Sequence, residues 1–133
     1  MVVDTSAVAA ILQDEPERRA FLEALEGADQ RRISAANWVE SSILIESRYG
    51  LAGLQDLDRL LRRAVVEIAA VDAAQARLAR EAFSRFGKGR HPAGLNFGDC
   101  FAYALAMSRD EPLLCKGSDF AKTDVLIVAV PPR

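Results

Sequence analysis

The sequence has little of what cysteine and histidine chemistry requires. Among 133 residues there are two cysteines, Cys100 and Cys115, and one histidine, His91. Both cysteines stand in apolar surroundings, which favours small buried thiols over a disulfide. A single histidine gives no cysteine and histidine cluster of the kind that holds zinc. A metal site in this chain would therefore have to be built from oxygen ligands.

Long apolar runs and an excess of charge are also absent. No stretch reaches the roughly 20 apolar residues of a transmembrane helix, and the pattern of a signal peptide is missing. We therefore expect a cytoplasmic protein without a membrane segment, and the length predicts one domain spanning residues 1–133. The net charge is 17 − 19 = −2. This argues against binding nucleic acid through overall charge, but not against a local site where basic residues flank acids.

Strands and helices alternate along the predicted chain. Short apolar, β-branched runs predict strands at 1–3, 32–34, 65–71, 113–116 and 126–130, with the prolines at 131 and 132 ending the last. Capping signals and helical periodicity predict helices from about 6, 16–27, 35–48, 54–64, after 72 and after 96, with Gly50 and Gly53 separating the third and fourth. This order predicts an α/β/α three-layer sandwich around a mainly parallel sheet of about five strands.

Two aspartates follow strands of the predicted sheet. Asp4 comes directly after the first strand, and Asp119 follows the fourth within a short turn. Ligands of open parallel sheets bind beyond the carboxyl ends of the strands, so both acids are expected at one edge. Taken alone, Asp4 is equally well explained as a helix N-cap, and Asp124 competes with Asp119 as the second acid.

Two further acids belong to helices. Asn96 fits the N-cap of the last helix, which makes Asp99 the third helical residue of a capping box, at the positive end of the helix dipole. The alternative is that Asp99 only caps. Glu40 falls within the apolar stripe of its helix, beside Ala36 and Ile43. A buried acid needs a partner or a cation; the alternative is a side chain at the edge of the stripe that reaches water.

The four acids together predict a metal site. Carboxylates that converge without a cation repel one another, and their pKa values rise. A cluster with only oxygen donors suits Mg²⁺, or Mn²⁺ as a substitute. Such sites activate water and stabilise charge in phosphodiester cleavage, often with two metal ions. The residues of this predicted site are Asp4, Glu40, Asp99 and Asp119.

Four segments also carry a family resemblance. They are Asp4-Thr5-Ser6, Glu40, Asn96-Phe97-Gly98-Asp99-Cys100 and Lys116-Gly117-Ser118-Asp119-Phe120. In this order they resemble the PIN-domain nucleases, and most closely the VapC toxins of VapBC toxin–antitoxin pairs. The resemblance implies a Mg²⁺-dependent endoribonuclease toxin acting on structured RNA such as tRNA or rRNA. It also implies a homodimer, held inactive by a cognate VapB antitoxin whose C-terminal segment occupies the groove near the acids.

The resemblance further implies a role for each acid. Asp4 and Asp99 are the expected primary metal ligands. Glu40 and Asp119 complete the catalytic pocket, directly or through waters, and orient the attacking water. The hydroxyl of Thr5 or Ser6 is expected to bond a ligand or a phosphate.

Basic residues supply the weaker expectations. The loop 87–94 carries Lys88, Arg90 and His91 and directly precedes the Asp99 segment. It is either a solvated connection or a contact for RNA phosphates, together with Lys116. His91 has no second histidine to support it as a metal ligand.

Three other classes of protein share parts of this pattern. A phosphatase of the haloacid dehalogenase type needs a second aspartate two residues after Asp4, where this chain has Ser6. A receiver-like signalling domain needs an acid pair after the first strand and an aspartate ending the third, whereas Asp72 is expected to cap a helix. A catalytically silent PIN-like module that binds protein or RNA would keep the fold, and RNA cleavage with and without Mg²⁺ separates it from the enzyme.

Overall fold

A computed structural model describes residues 1–130 of the chain. Its sheet has four strands in the order β3-β2-β1-β4, and every adjacent pair is parallel. Since parallel strands require crossover connections, helices occupy the segments between them. The predicted α/β class is confirmed, including the strand predicted near residue 33. The strands are β1 Val2–Val3, β2 Arg31–Ser34, β3 Val66–Ala69 and β4 Leu113–Leu114.

The prediction of a fifth strand at 126–130 is wrong for the described residues. Ile127 forms only an isolated parallel bridge with Leu113. Two backbone hydrogen bonds hold it there, from Leu113 to the carbonyl of Leu126 at 2.8 Å and from Val128 to the carbonyl of Leu113 at 2.9 Å. The pairing is one residue pair long, so it does not make a strand. The two prolines expected to end this strand lie outside the described residues.

The helices are longer than expected in one place. The third and fourth predicted helices form a single element, in which Gly50 has non-helical angles of φ 67° and ψ −158°. Gly50 therefore marks a break, as predicted. Gly53 does not: a Cβ built on it would lie 2.7 Å from Cβ of Tyr49, so it is a close packing point within the helix. The helices are α1 Thr5–Leu12, α2 Arg18–Gly27, α3 Ala35–Arg63, α4 Ala73–Phe86 and α5 Phe97–Arg109, with a 3-10 turn at Phe120–Lys122.

Helices cover both faces of the sheet. Successive residues of a strand point to opposite faces, so each strand contributes side chains to both layers. Val3 and Leu114 belong to a core cluster with α1, α2 and the second half of α3. Val2 and Leu113 belong to the other cluster, with α4 and α5. The three layers confirm the predicted sandwich. Within residues 1–130, none of the helices has the length and apolar character that crossing a membrane requires.

Candidate active site

Asp4 lies at the carboxyl end of β1 and also caps α1. The residue is only 3% exposed. Its Oδ2 accepts hydrogen bonds from the backbone N–H of Ser6 at 3.0 Å and from Ser6 Oγ at 2.6 Å. Its Oδ1 is buried and has no hydrogen-bond partner among the described residues. The cap therefore uses one carboxylate oxygen and leaves the other without a donor.

Burial raises the pKa of Asp4 from 3.8 to about 6, against the two bonds from Ser6, which lower it. The charges of Asp99 and Glu40 raise this pKa further. Residues from three separate elements thus act on one buried carboxyl group. An ionised carboxylate at this position is costly unless a cation offsets its charge.

Glu40 projects from the first half of α3 and is half-buried. Its Oε1 accepts hydrogen bonds from Thr5 Oγ1 at 2.5 Å and from Asn37 Nδ2 at 3.1 Å. The carboxylate lies so close to Gly98 that a Cβ built there would be 2.1 Å from Oε2. No lysine or arginine among residues 1–130 forms an ion pair with Glu40. Neutral donors alone hold this charge beside the first turn of α5.

Asp99 forms a complete capping box with Asn96. The N–H of Asn96 donates to Asp99 Oδ2 at 3.0 Å, and the N–H of Asp99 donates to Asn96 Oδ1 at 2.9 Å. Burial raises the pKa of Asp99 above its ordinary value, against the Asn96 N–H, and the charges of Glu40 and Asp119 add to the rise. Asp99 is therefore both a cap, as its position predicted, and a member of the interacting set of acids.

Asp119 is the most exposed of the four predicted acids. It stands at the N-terminus of the 3-10 turn and makes no capping bond with its side chain. Burial raises the pKa of Cys115 to about 12, and the charges of Asp4, Asp99 and Asp119 contribute to that rise. Asp119 thus lies near the other acids but is held by fewer contacts.

Asp124, the competing candidate, is bound elsewhere. Its Oδ1 accepts a hydrogen bond from Tyr103 Oη at 2.6 Å, and its Oδ2 is 3.4 Å from Arg85. These contacts hold its pKa below the ordinary value, with the Tyr103 bond the largest cause. Asp124 joins the C-terminal segment to α4 and α5.

The basic residues near the site have partners of their own. Lys116 Nζ is 2.5 Å from Glu15 and 3.3 Å from Glu17. Its backbone N–H donates to Ser6 Oγ at 2.9 Å, so Ser6 links Asp4 to the segment after β4. His91 Nδ1 accepts the N–H of Ala93 at 3.0 Å, which gives the histidine a structural role in its loop.

The guanidinium of Arg90 lies 5.7 Å from the centroid of Phe83. Lys88 is exposed, as the solvated-loop alternative expects.

The donor set fits Mg²⁺ through waters rather than a closed protein cage. Among residues 1–130, no group of three or more histidine, cysteine, aspartate or glutamate side chains is close enough to enclose an ion. The acids nevertheless interact through their charges. Mg²⁺ characteristically keeps several waters and takes one or two carboxylates. The unpartnered Oδ1 of Asp4 and the Oδ1 of Asp99, which the capping box leaves free, match that requirement.

Comparison with known proteins identifies the family. Residues 1–126 match the PIN domain family. The chain is 50% identical over 131 residues to ribonuclease VapC30 of Mycobacterium tuberculosis, which covers 98% of this chain and all of that protein. The chain belongs to the VapC ribonucleases of the PIN-domain family. It is also 52% identical over 128 residues to ribonuclease VapC of Mycolicibacterium smegmatis, covering 96% of this chain and 99% of that one.

Solved structures agree with the PIN fold. Mycobacterium tuberculosis VapC20, described as a sarcin-ricin loop cleaving toxin, superposes with a TM-score of 0.78 at 18% identity, over 98% of both chains. VapBC2 from Rickettsia felis, bound to a fragment of promoter DNA, gives 0.75 at 16% identity over 95% of this chain and 94% of that one. Membership of the VapC ribonucleases confirms the family resemblance and excludes the phosphatase and receiver-like alternatives.

Proposed function

We propose that this VapC ribonuclease is a Mg²⁺-dependent endoribonuclease toxin whose catalytic residues are Asp4, Glu40, Asp99 and Asp119. One observation carries the proposal: Asp4 has a buried, unpartnered carboxylate oxygen in the field of two other acids. Such an arrangement is unfavourable for the protein alone and favourable once a hard cation binds.

The proposed roles follow from how each acid is held. Asp4 and Asp99 would hold the ion, Mg²⁺ or Mn²⁺, because each keeps an oxygen outside its capping bonds. When bound, the ion supplies charge stabilisation at the scissile phosphate and a more acidic attacking water. Glu40, fixed by Thr5 and Asn37, would help to hold the ion through a water, orient the attacking water and accept its proton as the water oxygen attacks phosphorus. One P–O bond of the RNA phosphodiester breaks, and the departing ribose oxygen takes a proton from solvent.

Structured RNA, such as tRNA or rRNA, is the proposed substrate class. Support comes from the description of VapC20 as a toxin that cleaves the sarcin-ricin loop. We place the reaction in the cytoplasm, where such RNA is found. Asp119, the most exposed of the four acids, would complete the site on its solvent side as RNA binds.

A cognate VapB-type antitoxin is the proposed inhibitory partner, with its C-terminal segment in the groove near the acids. Two of the solved neighbours are toxin–antitoxin complexes, one of them from Klebsiella pneumoniae. A homodimer is also proposed, because exposed apolar side chains on α3 and α5 include Val39, Ile43 and Phe97. Light scattering of the isolated protein and of its complex with the antitoxin tests both assemblies.

The function is tested by incubating purified protein with total tRNA and rRNA in EDTA, in Mg²⁺ and in Mn²⁺, and by mapping 5′ ends. Cleavage at defined positions that requires the metal is expected. Asp99→Asn should abolish it, while the matched control Asp72→Asn, which alters the N-cap of α4, should not. Equal cleavage in EDTA would overturn the metal-dependent mechanism. RNA binding without cleavage under any metal would instead support the silent binding module.

Gly98→Ala should impair cleavage with little effect on folding. The new Cβ would overlap the Glu40 carboxylate, and the flexible glutamate would move aside. We expect a 10–100-fold lower rate, similar to the loss of residues that support metal ligands. Alanine is more favourable than glycine in a helix by up to about 1 kcal/mol, so the melting temperature should not fall below that of wild type.

Gly27→Ala is the matched control for Gly98→Ala, because no atom lies within 4 Å of its added Cβ. Cleavage rates and melting curves of both variants decide the outcome. A wild-type rate in Gly98→Ala would mean that Glu40 does not need its present position.

A further inference from the structure

Asn37 is a fully buried polar residue whose position the sequence pattern did not single out. It lies in the first turn of α3 and is 0% exposed. Its Nδ2 donates to Glu40 Oε1 at 3.1 Å and to the backbone carbonyl of Gly98 at 2.9 Å. One side-chain amide thus joins the carboxylate of α3 to the first turn of α5, the turn that carries Asp99.

This placement is unfavourable for stability alone. The Oδ1 of Asn37 is buried without a partner among the described residues. An unsatisfied buried polar atom lowers the free energy of unfolding, and an apolar residue of similar size would avoid that cost. The contacts that Asn37 does make go to the site, not to the core. The buried amide is therefore better explained by what it holds than by what it adds to folding.

The Glu40 side chain needs hydrogen bonds to fix its position, because little else around it would keep it in place. Its side chain has three rotatable bonds and pairs with no cation among residues 1–130. The charges of Glu40, Asp4 and Asp99 interact unfavourably. Only Thr5 and Asn37 donate hydrogen bonds to the Glu40 carboxylate within the described chain. Of these two donors, only Asn37 also forms a hydrogen bond to α5 among the described residues.

We propose that Asn37 is a positioning residue that acts through Glu40, fixing this carboxylate relative to the first turn of α5 and hence to Asp99. The inference rests on the proposed metal-dependent cleavage. It concerns how the site is held, since Asn37 itself has no contact that would make it catalytic. Loss of the amide should let Glu40 shift while the fold and the other acids stay in place.

The test is a double-mutant cycle of Asn37→Leu with Glu40→Gln, measured by RNA cleavage rate and by Mn²⁺ affinity from the electron paramagnetic resonance signal of free Mn²⁺. With Glu40 present, Asn37→Leu should lower the rate 10–100-fold and weaken Mn²⁺ binding about 10-fold. With Glu40→Gln already present, it should change neither by more than about 2-fold, because residues that act as a unit are not additive.

Gln75→Leu is the matched control. Gln75 is also buried with an unpartnered amide oxygen, but its side chain makes no hydrogen bond to the four acids within residues 1–130. This variant should keep the wild-type rate and Mn²⁺ affinity. If Asn37→Leu does not fold, Asn37→Ala replaces it: that variant loses the donor without adding bulk or charge, and should show the same losses.

The outcomes separate the inference from the proposed function. If the wild-type protein cleaves RNA with metal but Asn37→Leu matches it in rate or in Mn²⁺ affinity, the positioning role is wrong. Equal losses with Glu40 and with Gln at position 40 would make Asn37 merely structural and would also overturn the role. If the wild-type protein shows no metal-dependent cleavage, the proposed function fails first, whatever Asn37 does to Mn²⁺ binding.

Discussion

Asp4→Asn is expected to abolish RNA cleavage and, at the same time, to stabilise the metal-free protein. A ligand should matter more than the residues that support it, so the rate should fall by more than about 100-fold. Asparagine keeps an oxygen to accept both bonds from Ser6 and removes the buried charge. The variant thus loses the charge that binds the cation and the electrostatic cost that this charge imposes on folding.

The pKa of Asp4 determines how the stabilisation by Asp4→Asn changes with pH. Burial raises this pKa from 3.8 to about 6. Between these values the folded state binds more protons at Asp4 than the unfolded state, so the contribution of Asp4 to stability falls as pH rises from about 4 to 6. Above that window the full cost remains, on the order of 3 kcal/mol from the size of the shift. Asp4→Asn removes this dependence.

Melting curves in EDTA at pH 4.5 and pH 7.5 measure this effect. The variant should melt about 10 °C above wild type at pH 7.5, and the difference should narrow at pH 4.5. Saturating Mg²⁺ should raise the wild-type melting temperature and leave the variant unchanged, because a ligand of the folded state stabilises only a protein that binds it. A variant less stable than wild type at pH 7.5 would mean that the Ser6 bonds to the charged carboxylate outweigh its burial.

The four acids of the candidate site could be named from the sequence, whereas the contacts that hold them could not. Asp4 and Asp99 were predictable because strand ends and capping boxes are local features of the chain. The contacts around Glu40 were not, since Thr5 meets it only once α1 packs on α3, and Asn37 meets Gly98 only once α5 packs there. A polar residue three positions before Glu40 on a mostly apolar helix face was the one available signal.

The errors in the predicted fold have the same origin. An apolar run at 126–130 predicts a strand, but only Ile127 pairs with β4, in a single bridge to Leu113. Gly53 resembles a break in the sequence, yet it lies within α3, where a side chain at this position would meet Tyr49. Local patterns therefore predicted the order of elements, whereas tertiary contacts decided where the elements end.

Asp99 performs two functions that a pair of variants should separate. Its carboxylate completes the capping box with Asn96, and its charge interacts with Glu40 and Asp119. Asp99→Asn preserves an oxygen for the Asn96 N–H but removes the charge that would bind the ion. We expect it to lower cleavage by more than about 100-fold. The variant should be as stable as wild type in EDTA or more stable. The raised pKa of Asp99 in the folded wild-type protein means that its charge opposes folding, and asparagine removes that charge.

Asn96→Ala should give the converse result. It removes the side-chain acceptor for the Asp99 N–H, and the loss of such an N-cap costs about 1 kcal/mol. The backbone N–H of residue 96 still donates to Asp99 Oδ2, so the Asp99 charge stays in place. Cleavage should therefore fall by less than about 3-fold, which corresponds to a small change in the activation free energy. Melting curves and cleavage rates of both variants decide the assignment. If Asp99→Asn unfolds and Asn96→Ala is inactive, the two functions are inseparable, and the charge of Asp99 is needed for the cap itself.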